Sequence, residues 1–465
     1  MIYDAIKKLR DDGDINGALI LAIDSLNTRP DDSYLLYLIG SYFRQLDRLG
    51  EARAYLKQAV KTKPDRAEPL IELAQTYKWA NEFHSAIDCF EAASKIDPGN
   101  VNLWVAWAML YAYGRSDADY GQMYAEHALD LQAGYAPALD VLSVCAILRE
   151  DWNIAWVNAD RLVGYCPNRK RRTYAGSKAK PWAGEPGRVV AIYGEQGLGD
   201  EIMFSSCLEE AAMISREIYV ECNPRLANLF ARSFGSVVNV YGTLLEERPG
   251  WYTEEAARLI SDTCAFGVLP KYFRTTVNSF RATARGYLVA DKAKVEGYQR
   301  RWAKDDALYH IGIAWTGGMI SRPWEREERN IPLPLFFPPI DHPRRRFVSL
   351  EYNDTGGSVE GYPIDEIDGI KGVGDYDDTA SLVASLDLVI AVPTTVVHLA
   401  GALGIPCICI VPEIPSWRFG LTGNRMVWHD SVSLIRRAPG EAHDDLMIRV
   451  AEAVDAHFRN VSFGH

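Results

Sequence analysis

The chain has 465 residues, 48% of them hydrophobic and 24% charged. That is too long for a single core and too apolar for extended disorder, so about three domains are expected. A net charge of −12 weighs against a protein that coats nucleic acid, leaving room only for a local basic groove, and no run approaches the 18 apolar residues of a membrane span.

In chain order, the N-terminus MIYDAIKKLRDDGD lacks the apolar run of a signal peptide. The eight cysteines form no CxxC pair, and no HExxH or Cys/His metal spacing occurs, so a cytoplasmic, metal-free protein is expected. Laid out at a period of 34, Pro30, Pro64 and Pro98 coincide; so do Ala18, Ala52 and Ala86, and Gly40, Ala74 and Ala108. Small residues recur where paired helices cross, and proline recurs where the second helix ends. The pattern resembles the tetratricopeptide repeat, in about five units over residues 1–170, the last two losing the proline and alanine marks. Such an array stacks into an α-solenoid that suits a polypeptide partner, or else a spacer or dimerisation module. Trp104, Trp107, Tyr111 and Tyr113 suit the concave face of such an array, although aromatics at helical spacing are more often core.

A Gly/Pro/Lys-rich connector, Arg171 to Gly187, leads into RVVAIYG, a strand that opens into the glycine turn GEQGLGD and a helix beginning near Asp200. REIYVEC and SVVNVYG are further strands. The basic run NRKRR (Asn168 to Arg172) reads as solvated surface. Glu221, at the end of REIYVEC, is the nearest candidate for a ribose-binding carboxylate, but the glycine turn is not a clean dinucleotide fingerprint. After a polar helix, Asp291 to Asp306, come the strands of YHIGIAWTGG, RFVSLEY, LDLVIAV and PCICIVP. The alternation predicts two α/β lobes, 186–290 and 300–465, with parallel sheets and a ligand cleft at the strand ends.

IYGEQGLGDEIMFSSCL and LDLVIAVPTTVVHLAGALGIP together resemble the repeat-containing bacterial glycosyltransferases of GT-B fold, related to lipopolysaccharide heptosyltransferases and the O-linked N-acetylglucosamine transferase. IGIAWTGG, RNIPL, FVSLEY, DDTASLVASLD and PSWRFG extend the similarity from Arg188 to Val454. The resemblance implies an inverting, metal-independent transfer from a nucleotide-sugar such as a UDP-sugar to an acceptor hydroxyl. A protein Ser/Thr is the expected acceptor, held by the repeats. A saccharide, a lipid-linked glycan or a modified DNA base is the alternative, as is a scaffold with a degenerate transferase fold. No cofactor beyond the nucleotide-sugar co-substrate is implied.

The residues themselves fit donor chemistry. Thr394 and Thr395 open a helix after LDLVIAV, which suits a pyrophosphate, and His398 lies one turn in. A capping pair with a core histidine is the plain alternative. The resemblance places His398 at the donor, whereas Pro393 departs from it by removing an N–H. Thr316, Gly317 and Gly318 form a loop that lets phosphate approach the backbone. Arg329 matches the family's cation for the leaving diphosphate, with Arg322 and Arg326 as competitors. Asp200 matches the family's base; it also reads as a helix cap, with Glu195 and Glu201 next in line. Asp378 and Thr379 are expected near the nucleoside, and Trp417 and Arg418 near the sugar or acceptor.

Overall fold

The computed structural model describes residues 2–165, 171–243, 249–283, 286–303, 309–317, 329–352, 359–368, 370 and 374–462. The chain divides into two compact units, and the boundary falls between Cys145 and Ala146. The array was expected to span residues 1–170; the boundary between the compact units falls near the end of helix Ala136–Leu148.

The first unit is built from α1 (Ile2–Asp11), α2 (Ile15–Thr28), α3 (Ser33–Gln45), α4 (Leu49–Thr62), α5 (Ala67–Trp79), α6 (Phe83–Ile96), α7 (Val101–Gly114), α8 (Ala118–Leu131) and the start of α9 (Ala136–Leu148). Pairs α1–α2, α3–α4, α5–α6 and α7–α8 are helical hairpins. Ala18, Ala52 and Ala86 are fully buried, as are Ala74 and Ala108. Gly40 shows why these positions stay small: a Cβ there would lie 2.5 Å from the Leu56 side chain. The helices α2, α4 and α6 end two residues before Pro30, Pro64 and Pro98.

The backbone keeps a mark that the side chains lose. Gly13, Asp47, Asn81, Ser116 and Glu150 all have positive φ, between 51° and 86°. They recur every 34 or 35 residues, one in the tight turn of each hairpin, and so count five units. The fifth is vestigial. Its second helix is the single turn Trp152–Ala155, and its residues from Ala146 onward join the other unit.

The second unit holds two sheets. β1 (Lys180–Pro181), β2 (Val189–Tyr193), β3 (Glu217–Cys222), β4 (Asn239–Gly242) and β5 (Asp262–Ala265) lie in the order β1-β5-β2-β3-β4, all pairs parallel. β6 (Tyr309–Ala314), β7 (Arg345–Ser349), β8 (Ile364–Asp365), β9 (Leu388–Ala391), β10 (Cys407–Val411), β11 (Arg425–Met426) and β12 (His429–Arg436) follow in the order β11-β12-β10-β9-β6-β7-β8. Their pairs are parallel except β11 with β12. Val189–Tyr193 and Cys407–Val411 are buried along their whole length, as parallel strands covered on both faces must be. The chain reverses its direction of travel across the sheet between β2 and β5 in the first, and between β6 and β9 in the second. Open α/β sheets leave a crevice at such switch points.

The structure departs from expectation at the basic run NRKRR, of which 168–170 lie outside the described residues. Arg172 is not solvated. It is buried and donates to Glu221 from Nε at 2.6 Å and Nη2 at 3.0 Å. Tyr174 and Trp251 donate to the same carboxylate at 2.8 and 3.0 Å. Glu221 therefore ties the connector to the first sheet, and its lone pairs are not left for a ribose. The described cysteines are all free thiols, and no helix among the described residues is long and apolar enough to cross a membrane.

Candidate functional site

Within the second unit a cavity of about 220 Å³ opens at the β6/β9 switch point. Its lining includes Thr316, which follows β6, and Thr394, Thr395 and Val396, which follow β9. Leu198 and Arg225 of the first lobe line it from the other side, and Leu350, Glu351, Ile370, Tyr376 and Thr379 are among the other residues of its wall.

Thr394 is the N-cap residue of helix Thr395–Leu403, with no side-chain cap hydrogen bond. Its Oγ1 is buried and meets no partner among the described residues. A capping role would have satisfied a helix N–H group; here the hydroxyl makes no such bond, although Thr394 and Thr395 both line the cavity. Gly317 is buried directly behind it. A Cβ there would lie 2.9 Å from Thr394 Cγ2 and 3.1 Å from both Pro393 O and Arg329 Cδ, so only glycine lets these segments approach. Arg329 Nη1 donates to Pro393 O at 3.2 Å, placing a cation against the turn that carries the threonines. Gly318, and the rival Arg322 and Arg326, lie outside the described residues.

Glu351, just past β7, carried no signal in the sequence because a lone carboxylate after a strand has many uses. It is buried and accepts from Trp315 N at 2.6 Å, Thr316 N at 2.7 Å and Thr316 Oγ1. Burial pushes its carboxyl up, against the pull of those bonds. It shapes the loop after β6. Arg225 is the other residue that pattern reading missed. Its guanidinium lies 5.4 Å from the Tyr376 ring centre, and its Nε donates to Gly374 O at 2.9 Å.

Thr379 lines the cavity, but Asp378 turns away and pairs with Lys294 Nζ at 2.5 Å. This corrects the expectation that both face a nucleoside; one helical step separates their directions.

Asp200 lies in helix Leu198–Ser205, which starts two residues earlier than expected, with Gly197 at the N-cap. Asp200 is therefore no cap. Arg418, from the other lobe, donates to its Oδ1 from Nε at 2.7 Å and from Nη2 at 2.5 Å. Oδ2 accepts nothing from the described residues. Trp417 and Arg418 sit together here, the guanidinium 4.3 Å from the Trp417 ring centre. A Cβ on Gly199 would lie 3.4 Å from His398 Cδ2 and 3.5 Å from Thr395 Oγ1, so the two lobes meet closely beside Asp200.

His398 is buried next to Phe419 and His429. Burial and the nearby Arg418 charge hold it at about 3, so it is neutral at physiological pH. Its Nδ1 has no partner among the described residues. Burial likewise pushes Glu201 up to about 8, with Asn223 N donating to it. Glu195 accepts from Gly267 N at 3.2 Å and Gln196 Nε2 at 2.7 Å. Asn223 N and Gly267 N thus hold one oxygen each of Glu201 and Glu195, as Arg418 holds Oδ1 of Asp200.

Comparison with known proteins bears on the array first. The tetratricopeptide repeat family matches residues 43–112, so the N-terminal region carries tetratricopeptide repeats. Protein FlbA of Caulobacter vibrioides is 29% identical over 286 residues, 55% of this chain and 47% of that protein; the chain spans about half the length of the curated relative it matches. Similar solved structures include a thermophilic TPR protein in Thermus thermophilus, at 17% identity over 35% of this chain and 89% of that one, with a TM-score of 0.33. MamA from Desulfovibrio magneticus is 15% identical over 35% and 90% of the respective chains, with a TM-score of 0.30.

Proposed function

We propose that the second unit is an inverting glycosyltransferase of GT-B type that uses a nucleotide-sugar, and that the repeats receive a polypeptide whose Ser or Thr is the acceptor. The observation that carries this reading is the cavity at the β6/β9 switch point. Two threonines at a helix N-terminus, one with a buried hydroxyl that meets no partner among the described residues, line it opposite Leu198 and Arg225 of the lobe that carries Asp200. A diphosphate fits the helix N-terminus, with Arg329 and Arg225 supplying positive charge. Asp200 Oδ2 takes the proton from the acceptor hydroxyl as its oxygen attacks the anomeric carbon. The bond from that carbon to the diphosphate breaks on the opposite face. The negative charge left on the diphosphate meets the same cations and N–H groups, so stabilisation grows as the bond lengthens.

The test is calorimetric titration of the full chain with nucleoside diphosphates in the presence of EDTA. Binding in the micromolar range that survives EDTA is expected, and it should fall about tenfold or more in Arg329→Ala. Absence of binding for every nucleoside diphosphate, or binding that requires Mg²⁺ or Mn²⁺, overturns the reading.

A second reading is a scaffold that binds without reacting. Pro393 favours it, because the turn that meets the diphosphate lacks one N–H. Slow hydrolysis of a nucleotide-sugar under single-turnover conditions separates the two, since a scaffold returns the donor intact.

A further inference from the structure

Arg418 reaches Asp200 from a loop that is anchored on its far side. Arg436, on β12, donates to four carbonyls of that loop: Phe419 O at 2.6 Å, Gly423 O at 2.8 Å, Thr422 O at 2.9 Å and Gly420 O at 3.0 Å. Gly420, with φ at 62° and ψ at −179°, gives the loop a turn open mainly to glycine. These bonds fix the backbone after Arg418. They do not fix the Trp417 ring on which its guanidinium rests.

That ring packs against Trp156, centre to centre 6.3 Å and edge to face. Trp156 comes from the remnant of the fifth repeat, not from either sheet. It is buried and held on three sides. Its Nε1 donates to Arg274 O at 3.1 Å, and its ring meets Trp428 at 6.1 Å and Phe204 at 6.3 Å. Arg274 is itself fully buried and anchored to Glu210 and Ser206 O. Phe204 lies in the helix that carries Asp200, and Trp428 lies beside β12, so Trp156 touches both lobes at once.

We infer that Trp156 is a positioning residue for the reaction proposed above: through Trp417 it sets Arg418, and through Arg418 it aims Asp200 by its Oδ1 so that Oδ2 faces the acceptor. The inference rests on the transferase reading for its consequence, but the contact chain has its own readout. Aromatic edges and a cation over an indole face are directional, which an aliphatic filler of similar volume does not reproduce.

The experiment follows the Arg418 Nε–H by NMR in the full chain, labelled in arginine and assigned with Arg418→Lys. Hydrogen bonding to Asp200 should slow its exchange at least about tenfold against exposed arginines, and Asp200→Asn should weaken that protection. Trp156→Met should lose the protection, while Trp156→Phe, which keeps a ring edge, should retain it. Wild-type protection in Trp156→Met overturns the inference. Should that variant fail to fold, Trp417→Leu decides, because Trp417 is half-buried and is the link the inference requires; unchanged protection there overturns it equally.

Single-turnover transfer then reads the consequence. In the variants that lose protection it should drop about tenfold to a hundredfold, with nucleoside diphosphate affinity held within about twofold. Transfer at the normal rate without the Arg418 bond also overturns the positioning role. If the wild type binds no nucleoside diphosphate, the transferase reading fails, and the exchange data still judge the contact chain.

Discussion

At the scale of single residues, the role proposed for Asp200 rests on how its two oxygens are engaged. Arg418 takes Oδ1, and Oδ2 accepts nothing from the described residues. Asp200→Asn keeps the size and an oxygen for Arg418 yet cannot accept a proton. It should lower single-turnover transfer roughly a hundredfold or more, with donor affinity unchanged. Transfer at the wild-type rate would remove Asp200 from the reaction and make Glu195 or Glu201 the next carboxylate to test. Thr394, Thr395, Thr316 and Asp200 could be found in the sequence because each stands next to a glycine turn or a strand end, where function concentrates. Glu351 and Arg225 could not. Their roles depend on which loop from elsewhere lands on them, and no local spacing encodes that. The Asp378–Thr379 pair shows the same limit from the other direction: adjacent positions on a helix point to different surroundings, and only packing decides which one meets the cavity.

At the scale of elements, the lobes are joined by a polar clasp between helix Ala227–Phe234 and helix Tyr376–Val383. Arg232 pairs with Asp377 at 2.5 Å, Lys294 joins it at 3.2 Å, and Asn228 reaches Asp375 at 2.6 Å. Burial pushes the Asp377 carboxyl up, but bonds from Arg232 and Lys294 and their charges bring it below the usual range. A depressed carboxylate contributes stability that is complete above the unfolded value, about 4, and is lost as pH falls through the folded value. Asp377→Asn should therefore cost ~1–3 kcal/mol at pH 7 and flatten the acid limb of the stability curve. Chemical denaturation from pH 7 down to pH 3 checks this, and parallel acid limbs for both proteins would count against the clasp. Long helices and buried strands were legible in advance, since period 3.6 and continuous apolar runs survive in one dimension. Five strands were not: the eight-residue β12, and the short β1, β5, β8 and β11. Such strands exist because a neighbour pairs with them, not because of their own composition.

At the scale of the whole chain, the repeat period was legible, but the point where the array gives way to the next unit was not. Proline and alanine marks fade in the fourth and fifth units, while the left-handed turn residues at Ser116 and Glu150 persist, and a φ angle leaves no single residue type behind. The fifth unit also changes allegiance, because Trp152 and Trp156 enter the core of the α/β unit. A fragment beginning at Ala146 should fold and bind nucleoside diphosphate. One beginning at Asn168 loses both indoles and should be less stable by ~3 kcal/mol or more, exposing the apolar faces of Phe204, Phe280 and Trp428. Thermal unfolding of the two fragments side by side checks this, and equal midpoints would show the indoles to be dispensable. The same aromatic cluster gives the protein an optical property of its own. Trp152, Trp156 and Trp428 are buried, whereas Trp417 is half-buried with a guanidinium against its face. Light absorbed by the inner indoles can pass to a neighbour only a few ångströms away, and the emission of Trp417 depends on whether Arg418 stays on its ring. Any molecule that draws Arg418 off that ring would be reported by a change in colour and yield, with no label attached.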